Sequence, residues 1–88
     1  MDTFVKDPDA VLDYKVNWAA WLGIDTIINS SWSAPEGINV DSNEFDADET
    51  VVWVSGGTVG TSYVLTNHIT TLGGRQDDRS IKIKIKQK

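Results

Sequence analysis

Ile81-Lys82-Ile83-Lys84-Ile85-Lys86 alternates an apolar and a charged residue, and only a β-strand places all of one kind on one side of the chain. Lysine at every second position also discourages pairing with foreign strands, so this segment reads as an exposed edge strand. Upstream, Thr50-Val51-Val52-Trp53-Val54-Ser55 is apolar on both faces and reads as a central strand with Trp53 in the core. Gly56-Gly57-Thr58-Val59-Gly60 reads as a hairpin turn. It leads to a long strand over 61–71, with Tyr63, Leu65 and Ile69 on one side and Ser62, Val64, Thr66 and His68 on the other.

Towards the amino terminus, Ile24, Thr26, Ile28, Ser30 and Trp32 share one face of a strand that stops at the turn Pro35-Glu36-Gly37. Trp32 is expected to pack on Trp53 across two sheets. A short strand follows over 38–41. Residues 41–49 form an acidic loop anchored by a buried Phe45, and 42–46 could supply one more short strand. Leu12, Tyr14, Val16 and Trp18 alternate with Asp13, Lys15 and Asn17. A helical stripe of Val11, Tyr14, Trp18, Trp21 and Leu22 closed by Gly23 also fits, but strict alternation favours a strand with a tight turn over 19–23. Asp7-Pro8-Asp9 disfavours helix, so residues 1–10 are read as an arm and 11–88 as the folded domain. Six to seven short strands separated by turn signals predict an all-β antiparallel sandwich or small barrel.

At 88 residues the chain holds one core, and without cysteine it has neither disulfides nor thiolate zinc to reinforce that core. No cofactor is expected. The net charge of −5 argues against nucleic acid or an anionic membrane as the main partner. That charge is unevenly spread. From Arg79 to Lys88 there are five bases and no acid. Residues 1–78 hold all thirteen acids against Lys6, Lys15 and Arg75.

Catalysis has little to stand on. His68 is the one histidine, no Gly-x-Ser-x-Gly turn precedes it, and it reads as a strand surface or interface residue. Gly56–Thr61 lacks the lysine and the helix of a phosphate-binding loop. Asp46, Asp48 and Glu49, with Asp41 or Glu44, offer oxygen ligands at calcium-like spacing, but the order is not that of an EF-hand and a solvated loop is the default reading; no metal site is assigned. Trp18 and Trp21 lie three apart beside a turn, where an exposed indole would serve a protein interface or stack on a sugar. Tyr63 occupies the place where immunoglobulin-like sandwiches carry a tyrosine bonded back to an adjoining loop.

The runs Lys6-Asp-Pro-Asp-Ala-Val-Leu-Asp-Tyr14, Trp18-Ala-Ala-Trp-Leu22, Val52-Trp-Val-Ser-Gly-Gly57, Gly60-Thr-Ser-Tyr63, Thr66-Asn-His-Ile-Thr-Thr71 and Gly74-Arg-Gln-Asp-Asp-Arg-Ser80 together resemble a family of short structural proteins of tailed bacteriophages and prophages, labelled fiber-tail adaptor protein. The resemblance implies an immunoglobulin-like β-sandwich and no enzymatic activity. It implies a virion component assembled in the host cytoplasm, with other fibre, tail or neck proteins, or further copies of itself in a symmetric ring, as partners. Trp18, Trp21, His68, Arg79, Lys82, Lys84 and Lys86 are the candidate interface residues. A carbohydrate-binding or host-adhesion module is the competing expectation.

Overall fold

Period-two patterning resolves into seven strands and one helical turn: β1 (Asp2–Lys6), β2 (Leu12–Asn17), α1 (Ala19–Leu22), β3 (Ile27–Ser33), β4 (Ile38–Phe45), β5 (Glu49–Gly56), β6 (Ser62–Thr71) and β7 (Gln76–Ile85). The structure, a computed structural model, describes residues 1–87. Strands β1-β7-β6-β3 form one sheet and β2-β5-β4 the other. Every pairing is antiparallel except that of β1, which lies parallel to β7. The sheets face each other across Tyr14, Val16, Val52 and Val54 on one side and Leu65, Ile69, Ile81, Ile83 and Ile85 on the other. Trp18 and Leu22 close one end of this core.

Several readings change. Residues 1–10 are not a free arm: β1 pairs from Asp2↔Ile81 to Lys6↔Ile85, its Phe4 packs on Tyr14 with ring centroids 4.9 Å apart, and Lys6 is 0% exposed. The Lys6 ammonium donates to the carbonyls of Asp7 and Gly56, each at 2.8 Å. Burial pushes its pKa down, opposed by the carboxylates of Asp7, Asp9 and Asp41. Because β1 covers it, β7 is an interior strand and not an edge. Alternation reports faces but is silent about neighbours, which is why both errors share one cause.

Trp53 points outward and is 37% exposed, since Thr50, Val52 and Val54 hold the inner face of β5; it therefore does not stack on Trp32, which is half-buried from β3. Strand β3 begins at Ile27, not Ile24, and a bulge between Ile27 and Asn29 turns Ile28 out to solvent. The segment read as an acidic loop largely continues β4 past a bulge between Val40 and Ser42, leaving Phe45 exposed. Gly56–Gly60 is no hairpin, because it carries the chain from one sheet to the other. At Gly57 φ is +100°, and a Cβ would sit 2.6 Å from the Ile85 side chain. The Thr58 N–H donates to the Tyr63 hydroxyl at 3.0 Å and pins the start of β6 to this crossing.

Candidate protein-protein interface

The candidate residues separate into an inward and an outward group, and for those on β6 and β7 strand parity decides which. Arg79 shares its side of β7 with Ile81, Ile83 and Ile85, so it turns towards the opposite sheet. There its guanidinium lies 4.3 Å above the Trp18 ring and donates to the Asn17 carbonyl at 2.9 Å. Trp18 is 0% exposed and meets Trp21 edge-on at 5.4 Å. Arg75 lies over the Trp21 ring at 4.2 Å. The result is a connected row, Arg75-Trp21-Trp18-Arg79, in which cation–π and edge-to-face contacts reinforce burial. Trp18 is thus removed from any exposed surface, Trp21 is half-buried, and Arg79 is occupied by the fold.

Arg75 does more than stack. Its two terminal nitrogens donate to the carbonyls of Leu22 and Trp21, satisfying the end of α1, and its Nε bonds Asp25 at 3.0 Å. Asp25 also accepts from the N–H groups of Thr26 and Gly73, each at 2.9 Å. The Thr71 hydroxyl, those amides and Arg75 hold its carboxyl far below the usual carboxylate range.

Beneath the stack lies a polar node. Asn67, wholly buried on β6, accepts from the Trp18 indole N–H at 3.0 Å and the Thr50 hydroxyl at 2.7 Å. Its amide nitrogen donates to the Ser30 hydroxyl and the Ser31 carbonyl. One side chain therefore ties together both sheets and the turn between β2 and β3. Its parity with Tyr63, Leu65 and Ile69 was visible in the sequence, and a polar residue among inward apolar ones was the signal for it.

The other candidates do face outward together. On the four-stranded sheet, Val5, Lys84 and Ser62 lie side by side, as do Thr3, Lys82 and Val64, and then Ser80, Thr66 and Ser33. Farther along, His68 bonds Asp78 through Nδ1 and the Gln76 side-chain Oε1 through Nε2 at 3.0 Å. The Asp78 carboxylate, helped by Gln76, raises the His68 pKa. Val5 and Val64 are exposed beside Lys82 and Lys84, and Lys86 follows the strand in the open. This face can make charge-assisted and apolar contacts with a protein surface. The histidine is held by hydrogen bonds to Asp78 and Gln76.

The acidic turn brings ligand oxygens of Asp46, Asp48 and Glu49 within 4.8 Å of one another. One Asp46 oxygen accepts the N–H groups of Asp48 and Glu49, which shapes the turn and lowers its pKa. Two further aliphatics stand exposed, Ile24 at 105% and Leu72 at 74%. Ile24 was assigned to a strand it precedes, and Leu72 sits in the β6–β7 turn.

No curated protein matches the chain. Among solved structures, the PKD domain from KIAA 1837 protein superposes with a TM-score of 0.61 at 18% identity, covering 99% of this chain and 80% of that one. This likeness supports an all-β, immunoglobulin-like sandwich, with Tyr63 at its customary corner. Residues 6–84 match the family described as podophage GP4 fiber-tail adaptor protein gp77, and the chain belongs to that family.

Proposed function

We propose that the protein acts in the phage particle as a non-enzymatic connector, joining fibre, tail or neck components through protein–protein contacts. The observation that carries this reading is the outer face of the four-stranded sheet, where Lys82 and Lys84 flank exposed Val5 and Val64. Among the described residues, neither ammonium takes part in a hydrogen bond or ion pair of the fold. A lysine-framed apolar strip suits an acidic protein neighbour, with charge setting register and choice of partner more than affinity. Repetition by particle symmetry lets a small contact serve, because many copies bind together.

The test is incorporation. Mass spectrometry of purified particles should find the chain. A Lys82→Glu, Lys84→Glu double variant that melts like the parent should be depleted from particles. Absence of the parent chain from purified virions would defeat the proposal. The sugar-binding alternative now rests on Trp53, whose cross-strand neighbours are Asp13 and Ser42, because Trp18 is buried and Trp21 lies under Arg75. Tryptophan emission unchanged across a polysaccharide panel would dispose of it.

A further inference from the structure

Twice this fold sets an arginine over a tryptophan. Arg75 lies 4.2 Å over Trp21 while its Nε bonds the Asp25 carboxylate at 3.0 Å, and Arg79 lies 4.3 Å over Trp18 while donating to the Asn17 carbonyl at 2.9 Å. In each pair the guanidinium meets the negative face of the indole and keeps its N–H groups for an oxygen acceptor. Trp53 has similar company without the cation. It points outward from the middle strand of the three-stranded sheet, 37% exposed, with Asp13 directly opposite on β2 and Ser42 opposite on β4. Residues directly opposite in an antiparallel pair share a face with Cβ atoms about 5 Å apart, so one guanidinium on the indole reaches the Asp13 carboxylate.

The rest of this face carries a surplus of acid. Lys15 and Glu44 flank Val51 in the next row, Asn17 lies opposite Glu49 in the row after, and on the other side of Trp53 the Ser55 hydroxyl donates to Asp41 at 3.0 Å. Asp46 and Asp48 extend the acidic side at the turn beside Glu49. The bases nearby are few: Lys15 is exposed and acts on Asp46, Lys6 is wholly buried, and Arg79 is held over Trp18. Among the described residues, no hydrogen bond or ion pair of the fold engages the carboxylates of Asp13 and Glu44. An exposed indole beside such a carboxylate fits the arginine of a partner, and Trp and Arg are enriched where binding energy concentrates at interfaces. A neutral sugar stacked on the same ring would leave the surplus charge unanswered. The two arginines of this chain are both used inside the fold, so a second copy has none to offer.

We propose that Trp53 and Asp13 form a docking site for an arginine on a basic protein partner different from this chain, with Asp41 and Glu44 supplying the surrounding negative field. The inference rests on the connector reading and names the chemistry of a second neighbour. The lysine-framed strip lies on the outer face of one sheet and Trp53 on the outer face of the other, so the two neighbours bind on opposite sides of the sandwich. Charge sorts them, the acidic neighbour to the lysines and the basic one to Trp53.

Nuclear magnetic resonance of the isotope-labelled full chain tests the chemistry, with acetylated tetra-arginine and tetra-lysine peptides and a neutral oligosaccharide as probes and Trp53→Phe to assign the Trp53 indole signal. Tetra-arginine should move that signal and tetra-lysine should bind at least about threefold more weakly. Asp13→Asn should weaken the arginine response at least about threefold with an unchanged melt. A signal that ignores arginine, answers lysine equally or moves only with the sugar overturns the inference. Indole oxidation tests the site in the assembly, where Trp53 should react at least about fivefold more slowly in purified particles than in the dilute free chain. Protection that appears in the concentrated free chain alone makes a second copy the occupant and overturns the inference as well. A chain found in particles with Trp53 as reactive as when free removes this inference and leaves the connector reading standing; a chain absent from particles whose Trp53 answers arginine does the reverse.

Discussion

Asn67 shows how much one side chain decides in a domain this small. Its carbonyl oxygen serves the Trp18 and Thr50 donors and its amide serves Ser30 and Ser31, so all of this is satisfied inside the core. Asn67→Ala leaves two buried donors without an acceptor, and urea denaturation should show a loss of about 2–4 kcal/mol. His68 gives a pH signature. Its pKa is raised by the Asp78 hydrogen bond first and Gln76 second, with Asp77 also contributing. A raised pKa stabilises fully below the unfolded value, about 6.5, and that gain is lost as pH climbs through the folded value. Urea midpoints should therefore fall across neutral to mildly alkaline pH, and His68→Asn should flatten that slope; an unchanged slope in the variant would assign the effect elsewhere.

At the scale of elements, the sequence made strands legible and their company illegible. Alternation located β2, β6 and β7, because inward isoleucines and outward lysines need no context to be told apart. It failed at β5, where Val51 and Trp53 are as apolar as the inward Val52 and Val54, and only the opposite sheet decides which pair is covered. It also failed at β1. Asp2-Thr-Phe-Val-Lys6 has no strong pattern, and its pairing with residues some eighty positions away is a tertiary fact. The stack was half legible: Trp18, Trp21, Arg75 and Arg79 stand out as residue types, and the parity of Arg79 with the isoleucines marks it as inward. Reading it as free charge came from counting charges without assigning faces. Because β1 shields β7, removal of residues 1–6 should lower the thermal midpoint and increase aggregation, both seen in a scattering-monitored melt. A truncated chain that melts and scatters like the parent would show that β1 contributes little.

For the whole molecule, the acidic body and basic last strand of the sequence become a more specific arrangement. Arg79 is consumed by packing, Lys82 and Lys84 sit on a sheet face, and Lys86 extends that surface at one end. The chain lacks disulfides, so assembly is a direct source of added stability: anything that binds the folded form raises its apparent stability by mass action. The parallel pairing of β1 with β7 carries a consequence of a different kind, in time. Strand β1 pairs with β7, far along the chain, so it has no sheet partner until β7 has been made, and closing so long a loop is slow. We expect pulse-labelled amide exchange during refolding to protect β6 and β7 first and β1 last. Simultaneous protection would show that the loop closes with the rest of the fold. Until β1 docks, β7, paired only with β6, is the edge of its sheet, and its row of lysines then guards that edge as well as furnishing the finished surface.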